Sequence, residues 1–264
     1  MGCQDTKPKA WIDRDRLQNR DAGDWLTTGG NQNMQHYSPL DKINRANAKD
    51  LGYAWEYDAS TYIGNVPRGL EATPIVVDGI MYTSGAWGAV YALDAKTGKE
   101  LWTYKPKVDP SYVRRSCCDV VNRGVAVWEG KVYVGTLDGF LVCLDGQDGK
   151  VLWSADTFTD RTKAYTITSP PQVAGGIVMI GNSGSEFGVR GYVTAYDLKT
   201  GEQKWRFFIV PGDPANKPES PEMELAAKTW DPKSHWQSGG GGTVWGESAY
   251  DPELNLLYVG TGNA

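Results

Sequence analysis

Ala92-Leu93-Asp94-Ala95-Lys96-Thr97-Gly98-Lys99-Glu100-Leu101-Trp102 is the first of three eleven-residue segments that align without gaps. The others are Cys143-Leu144-Asp145-Gly146-Gln147-Asp148-Gly149-Lys150-Val151-Leu152-Trp153 and Ala195-Tyr196-Asp197-Leu198-Lys199-Thr200-Gly201-Glu202-Gln203-Lys204-Trp205. Their final tryptophans stand 51 and 52 residues apart, and a degenerate copy, Asn47 to Trp55, ends 47 residues before Trp102. Each segment reads as a strand, a tight turn and a second strand. Asp opens the turn, Gly takes its positive-φ position, and a β run follows that ends in or runs through Trp. A second hairpin precedes each one, turning at Asp78-Gly79, Glu129-Gly130 and Gly175-Gly176 between β-branched runs. Four antiparallel strands in about fifty residues is the repeat of a β-propeller blade. The expected fold class is therefore all-β, a propeller of four-stranded antiparallel blades. Tryptophan at one phase of successive repeats is expected to fill the seams between blades, a structural role.

Composition agrees. The chain has 264 residues, 32 of them Gly and 11 Trp, which suits many turns and a repeated large anchor. Lys and Arg number 27 against 32 Asp and Glu, a net charge of −5 with no basic run, so a nucleic-acid partner is excluded. No apolar run is long enough to span a bilayer. The opening residues Met1-Gly2-Cys3-Gln4-Asp5 show no secretory pattern.

Function is sought where the repeat is broken. Between the first two full repeats lies Arg114-Arg115-Ser116-Cys117-Cys118-Asp119. Adjacent α-carbons stand about 3.8 Å apart across a trans peptide, closer than in ordinary disulfides. A ring there would be strained, and strain is kept mainly at sites that use it; two reduced thiols in a loop is the other reading. Cys143, inside an apolar run, reads as a buried inert thiol, and no cysteine spacing fits zinc. A Gly- and Ser-rich loop, Gly181 to Gly191, offers backbone N–H groups and one carboxylate, yet it lacks the Lys and helix of a phosphate cradle. A long insertion runs from Val210 to Gly242. Its four closing glycines, Gly239 to Gly242, are expected to let the backbone approach something flat. His36 and His235 lie in polar loops and are assigned no role.

Taken in order, these departures resemble the pyrroloquinoline-quinone (PQQ) dependent alcohol dehydrogenases of bacterial periplasms, the methanol and ethanol dehydrogenase superfamily. The eleven-residue repeat resembles that family's tryptophan-docking motif, which also occurs in cofactor-free scaffold propellers of the outer-membrane assembly type. The site motifs discriminate: Arg68-Gly69-Leu70-Glu71-Ala72-Thr73-Pro74, Cys117-Cys118 with Asn122-Arg123-Gly124, and Thr168-Ser169-Pro170-Pro171. Ser183-Gly184-Ser185-Glu186, Gly242-Thr243-Val244-Trp245-Gly246 and Gly260-Thr261-Gly262-Asn263 complete the series, from about Asp24 to the last residue.

The resemblance implies roles. A flat quinone would lie between the Trp245 indole and a Cys117–Cys118 disulfide. Arg123 would clamp its carboxylates, while Glu71, Thr168, Ser183, Gly184, Ser185 and Thr243 would hydrogen-bond its rim. Glu186 and Asn263 match ligands of a bound Ca²⁺, for which a lanthanide can substitute in the family. The implied reaction oxidises a small alcohol to an aldehyde and passes electrons to a cytochrome c, a quinone acceptor, or a haem c domain fused downstream. The catalytic Asp, a further metal ligand and a quinone-contacting Lys are expected beyond residue 264, so no catalytic residue is assigned in this chain. Relatives acting on sugars or polyols often lack the vicinal pair, which favours alcohols. Residues 1–264 are read as one partial propeller of about four blades plus the opening hairpin of a fifth, Ser248 to Gly262. The family closes its ring with eight, so the stretch alone is expected to be inactive. A periplasmic location is implied by the family and by the oxidised pair.

Overall fold

The computed structural model describes residues 10–60, 62–64, 68–231 and 233–262. Three four-stranded antiparallel meanders follow one another along the chain. The first comprises β1 (Ile75–Val77), β2 (Ile80–Ser84), β3 (Val90–Asp94) and β4 (Glu100–Tyr104). The second comprises β5 (Ala126–Trp128), β6 (Lys131–Gly135), β7 (Phe140–Asp145) and β8 (Val151–Asp156). The third comprises β9 (Gln172–Ala174), β10 (Ile177–Gly181), β11 (Tyr192–Asp197) and β12 (Gln203–Phe208). A hairpin of β13 (Ser248–Asp251) and β14 (Leu256–Val259) comes last. The fold class is that read from the repeat.

Turn chemistry sets the blades. Asp78 and Gly79, Glu129 and Gly130, and Gly175 and Gly176 all have positive φ, the paired left-handed residues of a type I′ hairpin turn. In the repeat turns the Asp carboxylates accept backbone N–H bonds: Asp94 from Thr97 (2.8 Å), Asp145 from Gln147 (2.7 Å) and Asp197 from Lys199 (2.9 Å). Those bonds hold Asp197 down at about 2, the Lys199 and Thr200 N–H groups being the main cause.

The blades are joined by tryptophan. A Cβ added at Gly98, Gly149 or Gly201 would stand 2.5, 2.6 and 2.6 Å from the indoles of Trp55, Trp102 and Trp153. Each ring therefore lies flat on the turn of the next repeat. The Trp102 Nε1–H donates to the Gly146 carbonyl (3.0 Å) and Trp153 to Leu198 (3.2 Å), the same position of successive turns. Tyr82 and Tyr133 donate to those same carbonyls, each ring 5.9 Å from the tryptophan beside it. Between the first and second blades Val77, Tyr82, Val90, Val132, Val134 and Leu144 are buried in one cluster. Burial of such side chains contributes about 1.5–3 kcal/mol each.

Two expectations need correction. The degenerate copy ending at Trp55 forms no strand: Ala48–Asp50 is a single 3₁₀ turn and residues 51–60 are irregular. Leu51 and Tyr53 are exposed, and among the described residues three complete four-stranded sheets precede the last hairpin. Trp55 still docks on Gly98 and Tyr57 packs on Tyr91, so the anchor outlasts the blade. The second correction concerns Gly239 to Gly242, all at positive φ. What they approach is the protein itself: the Gly191 N–H donates to Gly241 (2.8 Å), a Cβ at Gly239 would meet the Gly188 carbonyl carbon at 2.5 Å, and Gly240 faces the Val210 and Trp230 side chains. The rest of the insertion carries helix α2 (Pro221–Ala227), capped by Ser220; a short helix, α1 (Arg14–Gln18), precedes the blades. Cys143 is fully buried in β7, and burial pushes its thiol up to about 12, as an inert thiol requires.

Gly149→Ala and Gly79→Ala separate conformational strain from docking. Both positions have positive φ, but nothing lies within 4 Å of a Cβ at Gly79. Gly79→Ala is expected to cost about 1–2 kcal/mol, and Gly149→Ala about 1–3 kcal/mol more from the indole overlap, read as urea midpoints. A depressed carboxylate stabilises the fold above its unfolded pKa, near 3.9, and loses that contribution as pH falls toward 2. The urea midpoint should thus decline between pH 5 and pH 2, with part of the slope absent in Asp197→Asn.

Candidate active site

In a four-stranded meander the ends of the second and fourth strands and the start of the first share one edge. The loops entering β5, β9 and β13, and the β10–β11 loop, therefore gather at one end of the blades, opposite the tryptophan turns. There they enclose a cavity of about 210 Å³. Cys117 and Cys118, joined as a disulfide with Cα atoms 3.8 Å apart, form part of its wall. Trp245 lines the same cavity, 40% exposed, with its indole edge seated on Gly262 so closely that a Cβ there would overlap it.

Arg123 is the hub. Its Nη2 pairs with Glu71 Oε2 at 2.8 Å, and its Nη1 donates to Thr168 Oγ1 at 2.6 Å. Thr168 Oγ1 lies 2.7 Å from Ser183 Oγ, and the guanidinium carbon stands 4.8 Å from the Trp245 ring centroid, over its face. Backbone holds the same contact, since the Arg123 N–H donates to the Thr168 carbonyl (3.1 Å). Asn122 fixes the approach: its Nδ2 donates to Gly135 (2.8 Å) and its Oδ1 accepts from the Gly124 N–H (3.1 Å). A second hydroxyl pair, Ser185 Oγ and Thr243 Oγ1 at 2.7 Å, ties the β10–β11 loop to the segment entering β13. Thr243 in turn bridges to Gly262.

Gly184 has φ 110, and a Cβ there would stand 2.7 Å from the Ala164 carbonyl oxygen, so only glycine fits. It starts the short 3₁₀ turn Ser185–Phe187, which sets Glu186 at the cavity. Asn263, the other expected metal ligand, lies outside the described residues. Among the described residues no three His, Cys, Asp or Glu side chains cluster to hold a metal.

Nine of the expected residues thus line one cavity: Cys117, Cys118, Arg123, Thr168, Ser183, Gly184, Glu186, Thr243 and Trp245. Glu71 and Ser185 join through Arg123 and Thr243. Ser116, Asp119 and Thr166 also line it and had been given no role. Thr166 was detectable only as the bridge partner of Ser183, a pairing between loops that spacing does not reveal.

Residues 25–264 match the family model described as glucose/ethanol/alcohol dehydrogenase, β-propeller domain (PQQ). The chain belongs to this PQQ family. It is 54% identical over 244 residues to quinohemoprotein alcohol dehydrogenase ADH-IIG of Pseudomonas putida, covering 92% of this chain and 33% of the relative. It is likewise 54% identical over 241 residues to the quinohemoprotein alcohol dehydrogenase of Comamonas testosteroni. The solved structure of the Pseudomonas putida HK5 enzyme ADHIIG superposes with a TM-score of 0.91 at 52% identity, over 97% of this chain and 37% of that one. A europium-containing methanol dehydrogenase superposes at 0.81 with 38% identity, over 95% and 44%. The chain spans about a third of the length of the curated relatives it matches. Across that third, the propeller of this PQQ family is the fold seen here.

Thr168→Val tests the buried arm of the network. It removes the acceptor for Arg123 Nη1 and the partner of Ser183, and should cost about 1–3 kcal/mol, read by urea unfolding. Thr168→Ser should recover most of the loss.

Proposed function

We propose that the protein carrying this chain is a PQQ-dependent alcohol dehydrogenase that oxidises a small alcohol to an aldehyde. The observation that carries this reading is the convergence of the Cys117–Cys118 disulfide, Arg123 and Trp245 on one cavity. The donor set fits the cofactor. A disulfide and an indole are apolar surfaces suited to a flat ring, and a partly buried guanidinium with neighbouring hydroxyls suits carboxylate and carbonyl oxygens.

In this reading Arg123 binds a cofactor carboxylate while Glu71 and Thr168 keep its guanidinium oriented. Thr168, Ser183, Ser185 and Thr243 offer hydroxyls to the rim, and Gly184 admits the close approach of backbone. Glu186, with Asn263, would hold a hard cation, Ca²⁺ or a lanthanide, by carboxylate and amide oxygen. When bound, PQQ supplies a quinone carbonyl that accepts hydride from the alcohol carbon. The base that takes the hydroxyl proton is assigned to no residue of this stretch. The electrons taken from the alcohol would have as acceptor a cytochrome c, a quinone or a fused haem c domain. An exposed disulfide persists in an oxidising compartment, which supports a periplasmic location; among the described residues no helix is long and apolar enough to cross a membrane.

Reconstitution tests the reading. The full-length protein mixed with PQQ and Ca²⁺ should retain quinone absorbance through gel filtration and reduce an artificial dye with alcohol. Absence of retained quinone would sink it. Glu186→Gln should weaken Ca²⁺ binding and abolish turnover, whereas wild-type turnover would remove Glu186 from the metal site.

A further inference from the structure

We propose that Arg68 is a positioning residue of this site: paired with Asp119, it locks the Cys117–Cys118 turn against the strip that carries Glu71. Arg68 Nη1 lies 2.6 Å from Asp119 Oδ1. Three residues further along the strip, Glu71 receives Arg123 Nη2 at 2.8 Å. The strip from Arg68 to Glu71 and the loop from Cys117 to Arg123 are thus fastened by two ion pairs of opposite polarity. Arginine meets Asp119 at the disulfide end, and Glu71 meets arginine at the other. Two anchors of opposed sign fix both position and direction, where one alone would allow the loop to pivot.

Asp119 needs such an anchor. Its φ is 67°, the left-handed region that non-glycine residues occupy at a cost, and it directly follows Cys118 while lining the cavity. Backbone hydrogen bonds flank the turn at Ser116 N–H to Val113 (3.4 Å) and Trp87 N–H to the Val120 carbonyl (2.8 Å). Arg68 in turn depends on Asp119. Its side chain is only 24% exposed, and its buried Nε has no hydrogen-bond partner among the described residues. A desolvated guanidinium with one matched end is costly to strand, so the pair holds or fails together.

The prediction for cofactor affinity rests on the PQQ reading above; the prediction for the disulfide does not. In the full-length apo-protein, dithiothreitol reduces Cys117–Cys118 to two thiols and becomes its own cyclic disulfide. Alkylation with peptide mapping gives the rate, with the buried Cys143 thiol as internal reference for global opening. Arg68→Met and Asp119→Asn should speed reduction about fivefold and weaken PQQ binding about tenfold, with Cys143 alkylation unchanged. Arg68→Lys, which keeps the charge, should fall between. Wild-type reduction rates in the single variants would overturn the proposal, and so would Cys143 alkylation rising in step with reduction. Should Arg68→Met fail to fold, Asp119→Asn, which preserves size, decides by the same rates. If wild-type protein retains no PQQ, the cofactor reading falls while the reduction rates still judge the clamp.

Discussion

Everything in this propeller depends on an indole lying flat on a glycine of the next blade. Trp55 on Gly98, Trp102 on Gly149 and Trp153 on Gly201 repeat one contact, and the indole N–H bonds of Trp102 and Trp153 fix the ring's direction as well as its depth. Hydrophobic burial is non-directional and would tolerate sliding between two flat sheets. A ring held by a glycine surface and a carbonyl acceptor does not slide. Trp205, in the same phase of the third blade, is 42% exposed.

That constraint operates at one end of the blades and the chemistry at the other. A meander places the type I′ and repeat turns on one edge and the inter-blade loops on the opposite edge. Seam geometry is therefore transmitted through rigid strands to the cavity, where Arg123, Thr168 and Ser183 come from three separate loops and must meet within hydrogen-bond distance. Long loops placed on a rigid scaffold are where binding groups are commonly found, and here the seams make the scaffold rigid.

The blades were legible because their determinants are local. Asp-to-Gly turns and I′ dipeptides act within a few residues, so the chain announces them directly. The copy at Trp55 misleads because docking needs only the tryptophan and a receiving glycine, while a strand also needs a paired neighbour that the motif does not encode. Gly239 to Gly242 mislead for a related reason. Glycine reports that something approaches closely, without saying whether it is a ligand or the backbone of Gly188 and Gly191. At the site, residue types and order pointed to the cavity, but partnerships did not follow. Arg123 with Thr168 and Arg68 with Asp119 join residues 45 and 51 apart on different loops.

Charge places a further condition on what this cavity holds. Around it stand two guanidiniums, Arg68 and Arg123, already engaged by Asp119 and Glu71. Glu186 adds a third carboxylate at the wall. A ligand bearing three carboxylates of its own would enter a region with no cationic excess among these groups, and desolvating it there would be unfavourable. On the proposed reading, a hard cation at Glu186 would add positive charge to the cavity wall and offset that excess of carboxylates. Metal and anionic cofactor would then bind as mutually dependent partners, each supplying the charge the other lacks. Arg123 would in that arrangement be less a lone clamp than one fixed point, oriented by Glu71 and Thr168, of a site whose electrostatics a metal would complete.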